Sequence, residues 1–105
     1  MTIKETRTGD RIQLDVDGRI DTNTSPELQK AILQAFQKGS AVILNLEKTE
    51  YISSAGLRAL LIGQKTANSK GGSMKLLHVC DTVMKVFQIS GFASMLTIEQ
   101  SHDPV

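Results

Sequence analysis

This sequence has only one cysteine, no tryptophan and no large excess of charge of either sign. Cys80 is the single cysteine, so the chain has no disulfide framework and no cysteine-rich metal site, which is typical of a protein from a reducing compartment. Twelve basic residues are balanced by eleven acidic residues. The formal net charge of +1 gives no strong field toward DNA, RNA or an anionic membrane, so we expect no nucleic-acid partner.

Long apolar runs are absent as well. No segment approaches the ~18 to 20 consecutive apolar residues that a membrane-spanning helix needs. The N-terminal residues, Met1 to Glu5, lack the basic and then apolar layout of a signal peptide. These two absences predict a cytoplasmic protein without membrane insertion.

Aromatic residues make up only 4% of the chain, whereas hydrophobic residues of all kinds make up 40%. This composition predicts a globular protein whose core consists mainly of Leu, Ile, Val and Ala. A length of 105 residues is enough for one such core. We therefore expect a single domain over 1–105, with an ordered part over about 2–99 and a polar tail over 100–105.

Sequence motifs for cofactors and metals are also missing. Neither G-x-x-x-x-G-K-[ST] nor G-x-G-x-x-G occurs, and Gly71-Gly72 is better explained as the end of a helix. His78 and His102 are far apart in the sequence and do not suggest a metal site. We expect neither a cofactor nor a metal.

Strand and helix patterns alternate along most of the chain. Ile12, Leu14 and Val16 alternate with polar residues, as in a strand with one buried face. The run over 41–46 is almost entirely apolar, as in a strand that is covered on both faces. Strands are predicted over 2–6, 12–17, 41–46, 74–79 and 95–98. Helices are predicted over about 25–38, 54–69 and 81–90.

Helix-start signals precede two of these helices. Ser25 before Pro26, or Thr24 three residues before Glu27, is a cap signal for the first helix, and Asp81 is placed to cap the third. The order β-β-α-β-α-β-α-β calls for right-handed crossovers between parallel strands. The fold class that this order predicts is α/β, with a mostly parallel, mixed β-sheet.

The stretch Tyr51-Ile52-Ser53-Ser54-Ala55-Gly56-Leu57-Arg58 joins a predicted strand to a predicted helix. Its two serines lie at a helix N-terminus, where unpaired N–H groups and the positive end of the helix dipole favour a hydroxyl cap or a phosphate. A serine there can be a cap, a nucleophile or a phosphate acceptor. A hydrolytic nucleophile is the least favoured, because the elbow motif G-x-S-x-G is absent and the chain is far smaller than such hydrolases.

The segment 51–57 resembles the signature loop of STAS domains of the anti-sigma factor antagonist family. In that loop an aromatic or apolar pair is followed by Asp-Ser-[Ser/Thr/Ala]-Gly-Leu. Val16-Asp17-Gly18-Arg19-Ile20-Asp21 is similar to the family's Gly-x-[Leu/Ile]-Asp after the second strand. The order of elements is also the family's, so the resemblance covers nearly the whole chain and implies one STAS domain.

The resemblance implies roles for individual residues. Ser54 aligns with the serine that is phosphorylated in the family, Gly56 with the motif's glycine, and Asp21 with the acidic residue beside the acceptor. Ser53, which stands where many members have Asp, and Ala55 complete the phosphorylation loop. The residues expected to contact a partner are Asp21, Thr22, Asn23, Thr24, Leu57 and Arg58.

The function that the resemblance implies is that of an anti-sigma factor antagonist. Such a protein is not an enzyme: when unphosphorylated it binds an anti-sigma factor and thereby frees a sigma factor. The partner would resemble a GHKL-type serine kinase that uses its own ATP to phosphorylate Ser54, and a PP2C-type phosphatase would reverse the modification.

Two alternatives remain beside this function. One is a STAS module that regulates another assembly, such as a secretion system, a sensory complex or a lipid-transport system. The other is a serine hydrolase. A neighbouring gene for a GHKL kinase or a PP2C phosphatase would favour the antagonist.

Overall fold

The computed structural model describes residues 1–99, and the predicted tail over 100–105 lies outside these residues. The strands are β1 (Thr2–Thr8), β2 (Arg11–Asp17), β3 (Ala41–Lys48), β4 (Ser73–Leu77) and β5 (Ile98–Glu99). The helices are α1 (Ser25–Lys38), α2 (Ser54–Lys70) and α3 (Asp81–Ser90), and a short 3-10 helix (Phe92–Ser94) precedes β5. The order of strands and α-helices confirms the predicted fold class.

The strands form one sheet in the order β1-β2-β3-β4-β5. β1 and β2 form an antiparallel hairpin, whereas β2 through β5 are paired in parallel. Parallel neighbours need crossover connections, which α1, α2 and α3 supply. The sheet is therefore mixed and mostly parallel, as predicted, and the carboxyl ends of β2, β3 and β4 meet at one edge.

One face of the sheet carries the hydrophobic core. Buried residues recur at every second position of β2 and β3, and they belong to the same cluster as the buried residues of the three α-helices. The alternate positions of β3, including Ile43 and Asn45, remain partly exposed. The expectation that 41–46 is covered on both faces is therefore wrong, because the helices share one face.

Pairing between strands, and not hydrophobicity alone, determines where the strands end. The polar residues after Leu46 predict a loop, but β3 continues through Lys48, which pairs with Asp17. β4 ends at Leu77, two residues before the predicted end. β5 contains only Ile98 and Glu99, which pair with β4, so the strand predicted over 95–98 is correct only at its last residue.

The helix starts differ from the predicted caps. Ser25 is buried as the first residue of α1, and Asp81 is the first residue of α3, so neither stands at the cap position. Thr24 does occupy the cap position of α1, but its side chain forms no cap hydrogen bond. Its hydroxyl instead donates to the Arg19 carbonyl and accepts from the Asp21 amide, both at 2.8 Å.

The buried faces of the helices follow the predicted helical spacing closely. The buried residues on the predicted faces are Leu28, Ile32, Ala35, Phe36, Leu57, Leu60, Ala67, Val83 and Phe87. Ala31, Leu61 and Val86 are only partly buried. Gly71 ends α2 with a positive φ of 70°, a conformation that side chains with a Cβ rarely adopt.

Candidate functional site

The two adjacent serines at the start of α2 occupy different positions. Ser53 is the N-cap residue, and its hydroxyl accepts a hydrogen bond from the Gly56 amide at 3.2 Å. Ser54 is the first residue of the helix and is exposed. Within residues 1–99, no hydrogen bond involves the Ser54 hydroxyl. The structure therefore assigns the capping role to Ser53 and leaves the Ser54 hydroxyl accessible.

Gly56 is buried where the first turn of α2 meets the core. A Cβ at this position would lie 2.6 Å from Cγ2 of Ile20 and 2.7 Å from Cγ1 of Ile52. Both isoleucines are buried and β-branched, so they have little freedom to move aside. Glycine is required here for close packing, which explains why the sequence has it two residues after Ser54.

A β-bridge joins the loop after β2 to the loop before α2. Ile20 pairs with Ile52, the Ile20 amide donates to the Tyr51 carbonyl at 3.0 Å, and the Ser53 amide donates to the Ile20 carbonyl at 2.8 Å. The structure thereby places the segment 19–24 beside the serine junction, at the edge of the sheet where the parallel strands end. The two segments that carry the family resemblance lie side by side.

Asp21 holds the turn that leads into α1. Its Oδ1 accepts hydrogen bonds from the Asn23 amide at 2.9 Å and the Thr24 amide at 3.0 Å. The bond from the Thr24 amide is the main reason why the pKa of Asp21 is below its ordinary value of 3.8, and the Thr24 hydroxyl, the Asn23 amide and the charge of Arg19 act in the same direction. Asp21 remains partly exposed, so it both stabilises this turn and presents a carboxylate at the surface.

Arg19 belongs to the polar connection before α1, and the sequence does not predict the contacts that it makes at this site. Its guanidinium carbon lies 4.1 Å from the centre of the Tyr51 ring, and its Nε lies 4.0 Å from Oδ2 of Asp21. A cation over an aromatic face is a favourable electrostatic contact. Arg19 and Tyr51 are far apart in the sequence. Their contact could have been predicted only by first predicting the β-bridge that joins their two loops.

The predicted partner-binding residues are not equally accessible. Thr22, Asn23 and Arg58 are exposed, and Thr24 is partly exposed. Leu57, in contrast, is only 6% exposed and packs in the core. Its side chain is not available as the predicted partner contact, because it lies on the buried face of α2.

The sequence of the chain matches the model of one protein family from residue 2 to residue 104, and that family is described as the STAS domain. The chain belongs to the STAS domain family. The resemblance seen in the two sequence segments is thereby confirmed. It extends over the sheet and all three α-helices of the domain.

Several relatives of this STAS domain are anti-sigma factor antagonists by name. BtrV of Bordetella bronchiseptica, provisionally named an anti-sigma factor antagonist, is 32% identical over 89 residues, which are 84% of this chain and 77% of BtrV. The anti-sigma-B factor antagonist of Staphylococcus aureus is 29% identical over 98 residues, or 91% of each chain. The anti-sigma-B factor antagonist of Bacillus subtilis is 26% identical over 87 residues, which are 83% of this chain and 80% of that protein.

Solved structures of similar proteins have the same fold as this STAS domain. The Bacillus cell fate determinant SpoIIAA in its phosphorylated form superposes with a TM-score of 0.75 at 22% identity, covering 97% of this chain and 93% of SpoIIAA. The unphosphorylated form of SpoIIAA gives a TM-score of 0.74 at 20% identity, covering 96% and 90%. A STAS domain protein of Planctomyces limnophilus gives 0.82 at 19% identity, covering 96% and 91%.

The STAS domain also carries a polar cluster on the open face of its sheet. Asp15 accepts hydrogen bonds from Nε2 of Gln13 at 2.8 Å and Nδ2 of Asn45 at 2.9 Å. These bonds, led by the one from Gln13, lower the pKa of Asp15 below its ordinary value of 3.8. The three residues line a cavity of about 450 Å³ to which the serine junction, 51–58, does not contribute.

Two further observations concern metal and nucleophile chemistry in the described part of the domain. Residues 1–99 contain no group of three or more side chains that could hold a metal ion. In the same range, no histidine or carboxylate forms a hydrogen bond with the hydroxyl of Ser53 or Ser54. His78 follows β4 and is exposed. Cys80 is partly buried, and its thiol donates to the Thr49 carbonyl at 3.5 Å.

Among the helices of residues 1–99, none combines the length and the apolar character that crossing a bilayer demands.

Proposed function

We propose that this STAS domain is an anti-sigma factor antagonist whose binding is switched by phosphorylation of Ser54. The observation that carries the proposal is the division of roles between the two serines at the start of α2. Ser53 caps the helix, so the exposed hydroxyl of Ser54 is available for modification. The names of the relatives indicate the process in which it acts, because those of Bacillus subtilis and Staphylococcus aureus are anti-sigma-B factor antagonists.

Phosphorylation of Ser54 would change the surface and leave the fold intact. A phosphate adds about −1.5 to −2 charges, and the N-terminal turn of a helix tolerates negative charge because its free N–H groups and its dipole are favourable there. SpoIIAA, which has been solved in both the phosphorylated and the unphosphorylated form, resembles this chain almost equally in the two states, with TM-scores of 0.75 and 0.74.

The partner in this proposal is an anti-sigma factor that is also a GHKL-type serine kinase. The unmodified domain binds it through Arg58 and the segment from Asp21 to Thr24, which lie around Ser54, and so frees a sigma factor. A dianion at Ser54 then opposes the docked partner, and a loss of about 1.4 kcal/mol already weakens binding tenfold. A PP2C-type phosphatase restores the binding form, and all of these proteins act in the cytoplasm.

The experiment that tests the proposal combines phosphorylation with binding. Each GHKL-type kinase of the source organism is incubated with wild-type protein, Ser53→Ala and Ser54→Ala, and mass spectrometry locates the phosphate. We expect phosphate on Ser54 in the wild type and in Ser53→Ala, and none in Ser54→Ala. Phosphate mainly on Ser53, or undiminished phosphate in Ser54→Ala, would show that the acceptor is assigned to the wrong residue.

Calorimetric titration with the same kinases completes the test. Ser54→Ala should bind as the wild type does, whereas Ser54→Glu should bind at least about tenfold more weakly while it melts at nearly the same temperature. Absence of binding to every such kinase would overturn the antagonist function in favour of a STAS module of another assembly. Hydrolysis of an ester panel by the wild type but not by Ser54→Ala would instead indicate a serine hydrolase.

A further inference from the structure

Helices α1 and α2 lie side by side and leave a groove of about 470 Å³ between their outer surfaces. The residues of the groove that matter here are Pro26, Lys30 and Leu33 on α1, and Ala55, Arg58 and Ile62 on α2. Ile62 is 38% exposed and Leu33 is partly exposed, so part of the groove is apolar and accessible to solvent. We call this feature the α1–α2 groove.

The α1–α2 groove starts at the serine junction. Arg58 and Ile62 follow Ser54 at intervals of four residues, and residues with this spacing lie above one another on one stripe of a helix. Ala55, the neighbour of Ser54, itself lines the groove. A group attached to Ser54 would therefore stand at the mouth of the groove, on the same stripe as its two α2 side chains.

Charge in the α1–α2 groove has one sign. Lys30 and Arg58 are exposed, one on each helix, and no Asp or Glu of residues 1–99 is among the residues that line the groove. The chain as a whole has nearly balanced charge, so this local excess of cations is not a consequence of composition. The groove thus combines apolar side chains with two cations and complements a surface that combines apolar side chains with carboxylates.

We propose that the α1–α2 groove is the docking site of an acidic amphipathic helix that belongs to the anti-sigma factor. A groove between two neighbouring helices matches a third helix, because side-chain ridges of one helix pack into the grooves that its neighbours form. Apolar residues of the docked helix contact Leu33 and Ile62, and flanking carboxylates pair with Lys30 and Arg58. This inference rests on the proposed function and specifies which surface the partner occupies.

The same geometry explains how one phosphate opposes the partner. A phosphate on Ser54 brings negative charge to the mouth of the groove, close to the carboxylates of the docked helix. It also stands four residues before Arg58, at the spacing at which opposite charges on a helix attract each other. The phosphate therefore repels the acidic helix and competes with it for the arginine.

The test uses the full-length chain and the anti-sigma factor that it binds. Arg58→Glu and Lys30→Glu are compared with Lys85→Glu, the same charge change at an exposed lysine on α3, outside the groove. In calorimetric titrations at low salt, we expect each groove variant to bind about tenfold more weakly or worse, and the control to bind within about twofold of the wild type. All three side chains are exposed, so circular dichroism melts should show intact folds.

A second measurement identifies the occupant of the groove. A benzophenone side chain at Gln34, which lines the groove, should crosslink to a helical segment of the anti-sigma factor that contains Asp or Glu. Replacing one carboxylate of that segment with Lys should then restore binding to Arg58→Glu. This charge exchange separates a direct contact from a general loss of affinity.

The outcomes distinguish this inference from the proposed function. If the wild type binds and Ser54→Glu does not, but both groove variants bind like Lys85→Glu, the groove is not the docking site and the phosphorylation switch stands. Crosslinks to a basic or non-helical segment would overturn the inference in the same way. If the wild type binds no anti-sigma factor, the proposed function fails, and the inference fails with it.

Discussion

The hydroxyl of Ser53 accepts a hydrogen bond from the Gly56 amide at 3.2 Å, three residues further along the chain. This bond closes the first turn of α2 and satisfies one of the N–H groups that have no partner within the helix. Because the cap is Ser53, the neighbouring Ser54 is not needed to start the helix. The two serines should therefore respond differently to the same substitution.

The first prediction compares the two alanine variants. Ser53→Ala should lower the free energy of unfolding by ~1 kcal/mol, because it removes the helix cap. Ser54→Ala should change it by less than about 0.5 kcal/mol, because Ser54 is an exposed residue without a structural bond. Urea denaturation of the two variants and the wild type measures both values. Equal losses in the two variants would mean that the cap does not belong to Ser53 alone.

The second prediction concerns the packing of Gly56. Gly56→Ala should destabilise the protein by about 1 to 3 kcal/mol, because its new methyl group overlaps two buried isoleucines whose nearest atoms lie 2.6 and 2.7 Å away. Ser69→Ala, at an exposed position of the same helix, is the control and should be neutral or slightly stabilising. Thermal melts of both variants provide the measurement, and a stabilised Gly56→Ala would contradict the close packing.

The third prediction is a pH dependence that comes from Asp21. Its folded-state pKa is below the ordinary value of 3.8, so its charged form is stabilised by folding. This contribution is fully present above the unfolded pKa and is lost as the pH falls from about 4 through the lowered folded pKa. Asp21→Asn should be less stable than the wild type near neutral pH, and the difference should shrink at acidic pH.

Guanidinium denaturation of the wild type and Asp21→Asn at several values between pH 6 and pH 2.5 tests this dependence. Asn keeps an oxygen that can accept from the Asn23 and Thr24 amides but carries no charge. A difference that stays constant across this pH range would show that the charge of Asp21 has no part in stability.

The fourth prediction uses Tyr51 as a reporter of the site. It is the single tyrosine, and the chain has no tryptophan, so tyrosine emission comes from this position alone. Arg19→Ala should lower the anisotropy of that emission, because the ring loses the cation that lies 4.1 Å from its centre. Stability should fall by no more than about 1 kcal/mol, since the contact is exposed. Arg11→Ala, an exposed arginine at the start of β2, should leave the emission unchanged.

Much of this fold follows from residue patterns that can be recognised in the sequence. The alternation of Ile12, Leu14 and Val16 identifies β2, and helical spacing identifies the buried faces of α1 and α2. These patterns are reliable because side chains on one face of a strand or helix recur at that element's own period. Strand ends are different: Lys48 and Glu99 are strand residues because of the residues that pair with them, and local sequence does not contain that information.

The site residues also differ in whether nearby or distant parts of the sequence determine their positions and contacts. The positions of Ser54 and Gly56 at the start of α2 could be predicted from one motif, because both depend on a single helix start. A threonine hydroxyl before a helix is typical of a cap, yet the Thr24 hydroxyl hydrogen-bonds with the Arg19 carbonyl and the Asp21 amide of the preceding turn. The contact between Arg19 and Tyr51 depends on two loops from different parts of the chain, so only the folded structure reveals it.

The bridge between Ile20 and Ile52 has a consequence for the thermodynamics and kinetics of recognition. Backbone hydrogen bonds hold both loops at the site, so these segments are already ordered before a partner arrives. Coupled folding and binding typically costs about 2 to 5 kcal/mol in ordering, and a surface that is already ordered avoids much of that entropy loss. Association then needs no slow rearrangement of the backbone. In the proposed switch, adding or removing one phosphate at Ser54 would therefore change partner occupancy as fast as the partner dissociates or returns.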